Sequence, residues 1–231
     1  MTRTRPAWLS IASDAWRVLT FRVPSPAIAQ RWPAYLAFGL VFTWLAGIGH
    51  YWDNPRAYLW QQLGFGSLLY VFSLAFILWV LLVPLKPARW AYRNVLVFVT
   101  LTSPPALLYA IPVERFLSLS AAQSANAWFL AFVATWRVAL LFWFLRRLAG
   151  LKGFTIVVAT LLPLALIVVV LTAFNLEHVV FELMAGLRPE QRSANDLSYG
   201  VVTILAVFSV LASPFLLAAY VWSIYRARVV I

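Results

Sequence analysis

The chain has no cysteine. Disulfides, thiolate nucleophiles and cysteine-ligated metals are therefore excluded, and redox compartment cannot be read from cysteine usage. Charge is scarce as well: 11% of the 231 residues are Asp, Glu, Lys or Arg, against about a quarter in an ordinary soluble domain. Seven acids and two histidines are all the carboxylate and imidazole side chains present. The chain also lacks a Walker A loop and a dinucleotide fingerprint, and Gly64-Phe65-Gly66-Ser67 does not match a nucleophile elbow.

What is present is apolar. By the AVILMFWYC count 64% of residues are hydrophobic, where soluble domains hold about 45–50% even with glycine included. That excludes a water-soluble enzyme and a disordered chain, and indicates an integral membrane protein. Six stretches approach the roughly 20 helical residues that cross a bilayer core: Pro33–Trp52, Leu59–Val83, Asn94–Pro112, Ala127–Leu145, Thr155–Asn175 and Tyr199–Tyr225. Barrel strands would alternate apolar and polar residues, and runs such as Ile156–Leu171 do not. The expected fold is an all-α polytopic bundle. Residues 1–32 form a cytoplasmic or interfacial segment, 33–225 a single transmembrane domain and 226–231 a short tail.

The net charge of +11 would suggest nucleic acid in a soluble protein. Here it divides by side. Arg3, Arg5, Arg17, Arg22, Arg31, Lys86, Arg89, Arg93, Arg146, Arg147, Lys152, Arg226 and Arg228 fall on one face of the six-span arrangement. Only Arg56, Arg115, Arg188 and Arg192 fall on the other. Basic loops stay cytoplasmic, so both termini are expected inside. No nucleic-acid partner is needed, because anionic lipid at the cytoplasmic face accounts for the basic loops.

Two amphipathic segments flank the spans. Trp8, Ile11, Ala12, Ala15, Trp16 and Leu19 recur at helical spacing, which predicts an interfacial helix ended by Pro24 and Pro26. Leu176, Val179, Val180, Leu183, Met184 and Leu187 predict a second, outer amphipathic helix over 176–187.

Three features are candidates for function. Thr102-Ser103-Pro104-Pro105 and Ala212-Ser213-Pro214 lie near the middle of the third and sixth spans. Proline frees a carbonyl one turn earlier, and interrupted helices in corresponding places mark sites in inverted-repeat transporters; simple kinks are the alternative. Ser103, Pro104, Ser213 and Pro214 are thus candidate substrate or lipid contacts. Arg137 is the one basic residue deep within a span. A charge there is costly and faces a bundle interior or cavity, where its planar fork suits a lipid phosphate or anionic solute. A purely structural role would pair it with a carboxylate such as Glu114 or Glu177, or with the carbonyls freed by a kinked helix. Third, an outer polar cluster comprises His50, Asp53, Arg56, Glu114, Glu177, His178 and Glu182. Two histidines with carboxylates suit N/O metal ligation, but no HExxH or comparable signature is present, and ion pairs and caps explain the same residues.

These observations favour a non-enzymatic transport, lipid-handling or accessory subunit of a bacterial inner membrane, working as a homo- or hetero-oligomer. No cofactor and no metal is expected. The alternatives are an outer-facing, possibly metal-assisted lipid hydrolase or transferase, and a binder of an extracytoplasmic protein.

Overall fold

Long apolar runs with few breakers leave the backbone one economical way to satisfy its own polar groups, the α-helix. The computed structural model follows that logic. It describes the backbone of residues 7–51, 58–185 and 196–229, and within that range the side chains of all but residues 7, 50, 51, 114, 171, 174–185, 196–199 and 229. The described residues are all-helical, with no strand. The α-helices are α1 (Ala7–Leu19), α2 (Ala27–Gln30), α3 (Trp32–Tyr51), α4 (Leu59–Gln62), α5 (Phe65–Leu82), α6 (Tyr92–Leu101), α7 (Leu119–Arg147), α8 (Phe154–Ala185) and α9 (Asp196–Val229).

Among the described residues, four helical stretches are long and apolar enough to cross a membrane: Trp32–Gly49, Phe65–Leu85, Leu119–Arg147 and Gly200–Arg228. Two shorter apolar helical stretches, Tyr92–Leu101 and Phe154–Val170, accompany them. The apolar helices and their lengths mark an integral membrane protein.

Proline and glycine explain where the helices depart from six uninterrupted spans. The second stretch breaks at Gly64, whose φ of +74° is left-handed and whose Cβ position lies 2.7 Å from the Trp44 carbonyl oxygen. The third ends as an α-helix at Leu101 and continues as a 3-10 segment, Pro104–Ala110. Two successive prolines remove two successive N–H donors, so regular α-helix cannot pass. A single proline is tolerated: Pro163 lies inside α8 and Pro214 inside α9, and both helices continue. Of the two proline sites, then, Pro104-Pro105 interrupts its helix, while Pro214 leaves α9 continuous, as a simple kink would.

The outer amphipathic helix expected over 176–187 is not a separate element. No glycine or proline falls between Leu164 and Ala185, and α8 runs unbroken to Ala185. Residues 186 and 187 lie outside the described range.

Two compact units divide the chain: Met1–Ile111 with Val133–Leu151, and Pro112–Phe132 with Lys152–Ile231. In the first, α3 lies against α6 and the 3-10 segment in one register. Tyr35 packs with Val97 and Leu101, Gly39 abuts Thr100, Gly49 meets Ala110, and between them Thr43 bonds Ser103. Both partners advance together, so the two segments run parallel. Helix α5 runs antiparallel to both. It starts where Gly64 and Ser67 meet Gly47 and ends where Trp90 Nε1 donates to the Trp79 carbonyl at 3.1 Å. The last turns of α7 close this unit, with Phe144 stacked on Phe98 at 4.0 Å.

In the second unit Val113 packs with Ala122, Ala125 and Phe129. Helices α8 and α9 pack on each other, antiparallel, since Phe154 at the start of α8 meets Trp222 near the end of α9. Ala206, Ser213 and Ser223 are buried, while Phe208, Leu211, Phe215 and Val221 are exposed.

Candidate functional site

The broken third segment places buried hydroxyls where backbone groups lose their helical partners. Thr100, Thr102 and Ser103 are each at most 3% exposed, as is Thr43 on α3. Thr100 Oγ1 donates to the Val97 carbonyl at 3.0 Å and Thr102 Oγ1 to the Val99 carbonyl at 2.8 Å. Thr43 Oγ1 donates to the Gly39 carbonyl at 2.9 Å and lies 2.8 Å from Ser103 Oγ. A buried hydroxyl left alone costs about 1–3 kcal/mol, so this paired seam fixes α3 against the break. Gly39 makes the approach possible, since a Cβ there would lie 2.5 Å from Thr100 Oγ1. Ser103 is therefore occupied by a helix–helix bond. Ser213, in the second unit, donates to the Ser209 carbonyl one turn back at 2.6 Å.

Arg137 lies near the middle of the 29-residue α7 and is half-buried. Its guanidinium carbon sits 5.9 Å from the centroid of the Tyr70 ring on α5. Tyr109, in the 3-10 segment after the break, lies within electrostatic range of both. A cation at the face of an aromatic ring gains about 0.5–2 kcal/mol, well short of cancelling a mid-span charge by itself. Asp14 is the one acid whose side chain is described, and it lies beside Arg17 at 4.0 Å. Arg137 thus meets two tyrosines, and the Glu114 and Glu177 side chains proposed as its structural partners lie outside the description. Arg137 is a five-donor fork with a ring on one side, an arrangement able to grip a planar or tetrahedral anion.

A third polar knot holds the N-terminal helix. The Asp14 carboxylate, 4% exposed, accepts from the Ser25 amide at 2.9 Å, the Ser25 hydroxyl at 2.5 Å and the Tyr35 hydroxyl at 2.6 Å. Burial pushes its pKa up. The bonds from Ser25 and Tyr35, with the Arg17 charge, outweigh burial and hold the carboxyl below its ordinary value. This knot sets the rotation of α1. Ile11, Ala15 and Val18 face inward with Asp14, leaving Trp8 and Trp16 each 65% exposed. The single apolar face read from the sequence therefore divides in two: Ile11 and Ala15 pack on Tyr35, Val97 and Leu101, and the tryptophans point away. Among these knot residues, only Asp14 stands out in the sequence, as a lone acid in an amphipathic helix. Its partners lie 11 and 21 residues on, with no periodic signal.

The outer polar cluster is placed only in part. His50 lies in the last turn of α3, Glu114 sits in a short 3-10 turn, Val113–Arg115, and Glu177, His178 and Glu182 lie on α8; their side chains are outside the description. Asp53 and Arg56 lie outside the described residues altogether. Among the described residues no group of three or more His, Cys, Asp or Glu is placed to hold a metal. No family model, no curated protein and no solved structure matches the chain.

Proposed function

We propose that this is a six-span inner-membrane protein with both termini cytoplasmic. On this reading it works without catalysis of its own, as a transport, lipid-handling or accessory subunit within a homo- or hetero-oligomer, and Arg137 grips the anionic group of its lipid or solute. The observation that carries the reading is a half-buried guanidinium in mid-α7 facing Tyr70.

The span count draws support from the third segment. The ten residues of α6 rise about 15 Å, and the seven 3-10 residues after it about 14 Å more. End to end these approach the roughly 30 Å bilayer core. Their parallel register with α3 (Gly39 at Thr100, Gly49 at Ala110) is what a first and a third span require when a second returns between them. Helix α8, with 32 residues, has ample length for the fifth. The loop basic residues then supply the cytoplasmic bias.

Arg137→Gln and Arg137→Lys test the site. Purified wild type and variants are titrated with phosphatidylglycerol and, separately, with inorganic phosphate, and bound ligand is counted by native mass spectrometry. Arg137→Gln is expected to weaken one of the two at least ten-fold, with Arg137→Lys between it and wild type because lysine keeps charge but not the fork. Unchanged binding of both probes would sink the proposal.

A further inference from the structure

The turn from α5 to α6 carries Lys86 and Arg89, the start of α6 carries Arg93, and the end of α7 carries Arg146 and Arg147; all five are exposed. They belong to one end of one unit. The Ala88 amide donates to the Ala149 carbonyl at 2.8 Å, which lays the turn on the end of α7. Trp90 packs 5.9 Å from Phe144, and Asn94 Nδ2 donates to the Arg89 carbonyl at 2.8 Å. The turn is thus held in place from both sides. Between Asp53 and Glu114, and again between Glu114 and Glu177, the sequence contains no acid. No neighbour along either segment neutralises these cations.

The backbone of the turn gives a second, independent observation. Lys86 and Arg89 have φ of +51° and +53°, a region that non-glycine residues enter at a steric cost. Pro87 adds to it, because a residue before proline is driven toward extended backbone. Glycine would serve a mere connector better at both positions. The chain instead holds long cationic side chains on strained backbone, the pattern expected where the side chains themselves have work to do.

Apolar surface leads directly to these charges. Phe76, Val80 and Val83 are 54%, 45% and 46% exposed, and their spacing sets them on one side of the helix that runs into Lys86. A soluble anion needs the cations alone. A lipid needs both the cations and an apolar track for its acyl chains.

We propose that the α5–α6 turn and the end of α7 form a binding site for the phosphate headgroup of an anionic phospholipid, with an acyl chain along Phe76, Val80 and Val83. The site requires that α5 and α7 sit in a bilayer, and it is independent of Arg137.

The test titrates detergent-purified full-length protein with phosphatidylglycerol or phosphatidylcholine of matched chains, counting bound lipid by native mass spectrometry. Each Lys or Arg near an anionic headgroup contributes about five-fold in affinity. In the Arg137→Gln background, which removes the other proposed anion site, Lys86→Gly/Arg89→Gly should therefore bind phosphatidylglycerol about 25-fold more weakly, with phosphatidylcholine unchanged. Its thermal stability should hold or rise, since glycine relieves the left-handed backbone. Arg146→Gln/Arg147→Gln, away from the strained turn, should weaken phosphatidylglycerol similarly, and Arg137→Gln should leave this site filled. The proposal is overturned if both double variants bind phosphatidylglycerol like Arg137→Gln alone, or if wild type does not prefer it to phosphatidylcholine. Displacement of the lipid by millimolar inorganic phosphate would also overturn it, by marking a soluble-anion site.

Discussion

Replacing Asp14 by asparagine should release α1 from the bundle. The carboxylate accepts three hydrogen bonds, two from Ser25 and one from Tyr35. Bonds to a charged partner contribute about 1.5–3 kcal/mol each, without simple additivity. Asparagine can still accept from the Ser25 amide, and its NH2 can donate to the two hydroxyls once they rotate, but all three bonds lose the charge of the carboxylate, so the net loss is about 2–3 kcal/mol. At 1.4 kcal/mol per factor of ten, the undocked population rises on the order of 30- to 100-fold. The cysteine-free chain makes the readout direct. Ala15 is 3% exposed on the docked face, so Ala15→Cys reports undocking by its rate of reaction with 4,4′-dithiodipyridine, compared with and without Asp14→Asn. The pH dependence has a defined sign. The folded pKa of Asp14 lies below the ordinary 3.8, so its stabilisation is complete above that value and is lost as pH falls through the folded pKa. Reactivity, corrected for reagent chemistry, should be flat from pH 5 to 8. It should approach that of the asparagine variant only below about pH 3.8. Equal rates in the two backgrounds at pH 7 would refute the claim that this knot holds α1.

Three further substitutions probe the seam between α3 and the broken segment. Gly39→Ala sets a Cβ 2.5 Å from Thr100 Oγ1 and 2.9 Å from the Thr100 backbone carbon; overpacking of this kind costs about 1–3 kcal/mol, and an unshifted thermal midpoint would rule out the close approach. In a Thr43→Val and Ser103→Ala cycle, Thr43→Val should be the costlier single change, because Thr43 retains the Gly39 carbonyl when Ser103 is lost. The double variant should recover about 1 kcal/mol, and strict additivity of the two losses would contradict the bond.

Helix class and most helix positions were legible because burial in lipid leaves so few backbone solutions. Trp32–Tyr51 is within a residue of the stretch read from composition alone. The Pro104-Pro105 break was legible for the same reason, since two missing donors are a local fact. Pro214 leaves α9 continuous, because one missing donor can be absorbed within a helix, whereas two in succession cannot. Gly64 belongs to no recognisable motif, and its left-handed turn depends on the approach of Trp44, which no local pattern reports. Arg137 stood out by its solitude, but Tyr70 and Tyr109 did not, because a cation–ring contact has no sequence spacing. The inward face of α1 was likewise hidden, since hydrophobic periodicity ranks Trp8 and Trp16 with Ile11 and Ala15, whereas the buried Asp14 bonds turn the helix.

Single cysteines at Ala88 and Ser118 test the membrane arrangement most directly, both positions being exposed in a chain with no other thiol. The two sites bracket α6 and the 3-10 segment. If that broken segment crosses the bilayer, a membrane-impermeant maleimide added outside intact cells labels Ser118→Cys and spares Ala88→Cys until the membrane is opened. Labelling of both from the same side would contradict the third crossing, and with it the six-span account.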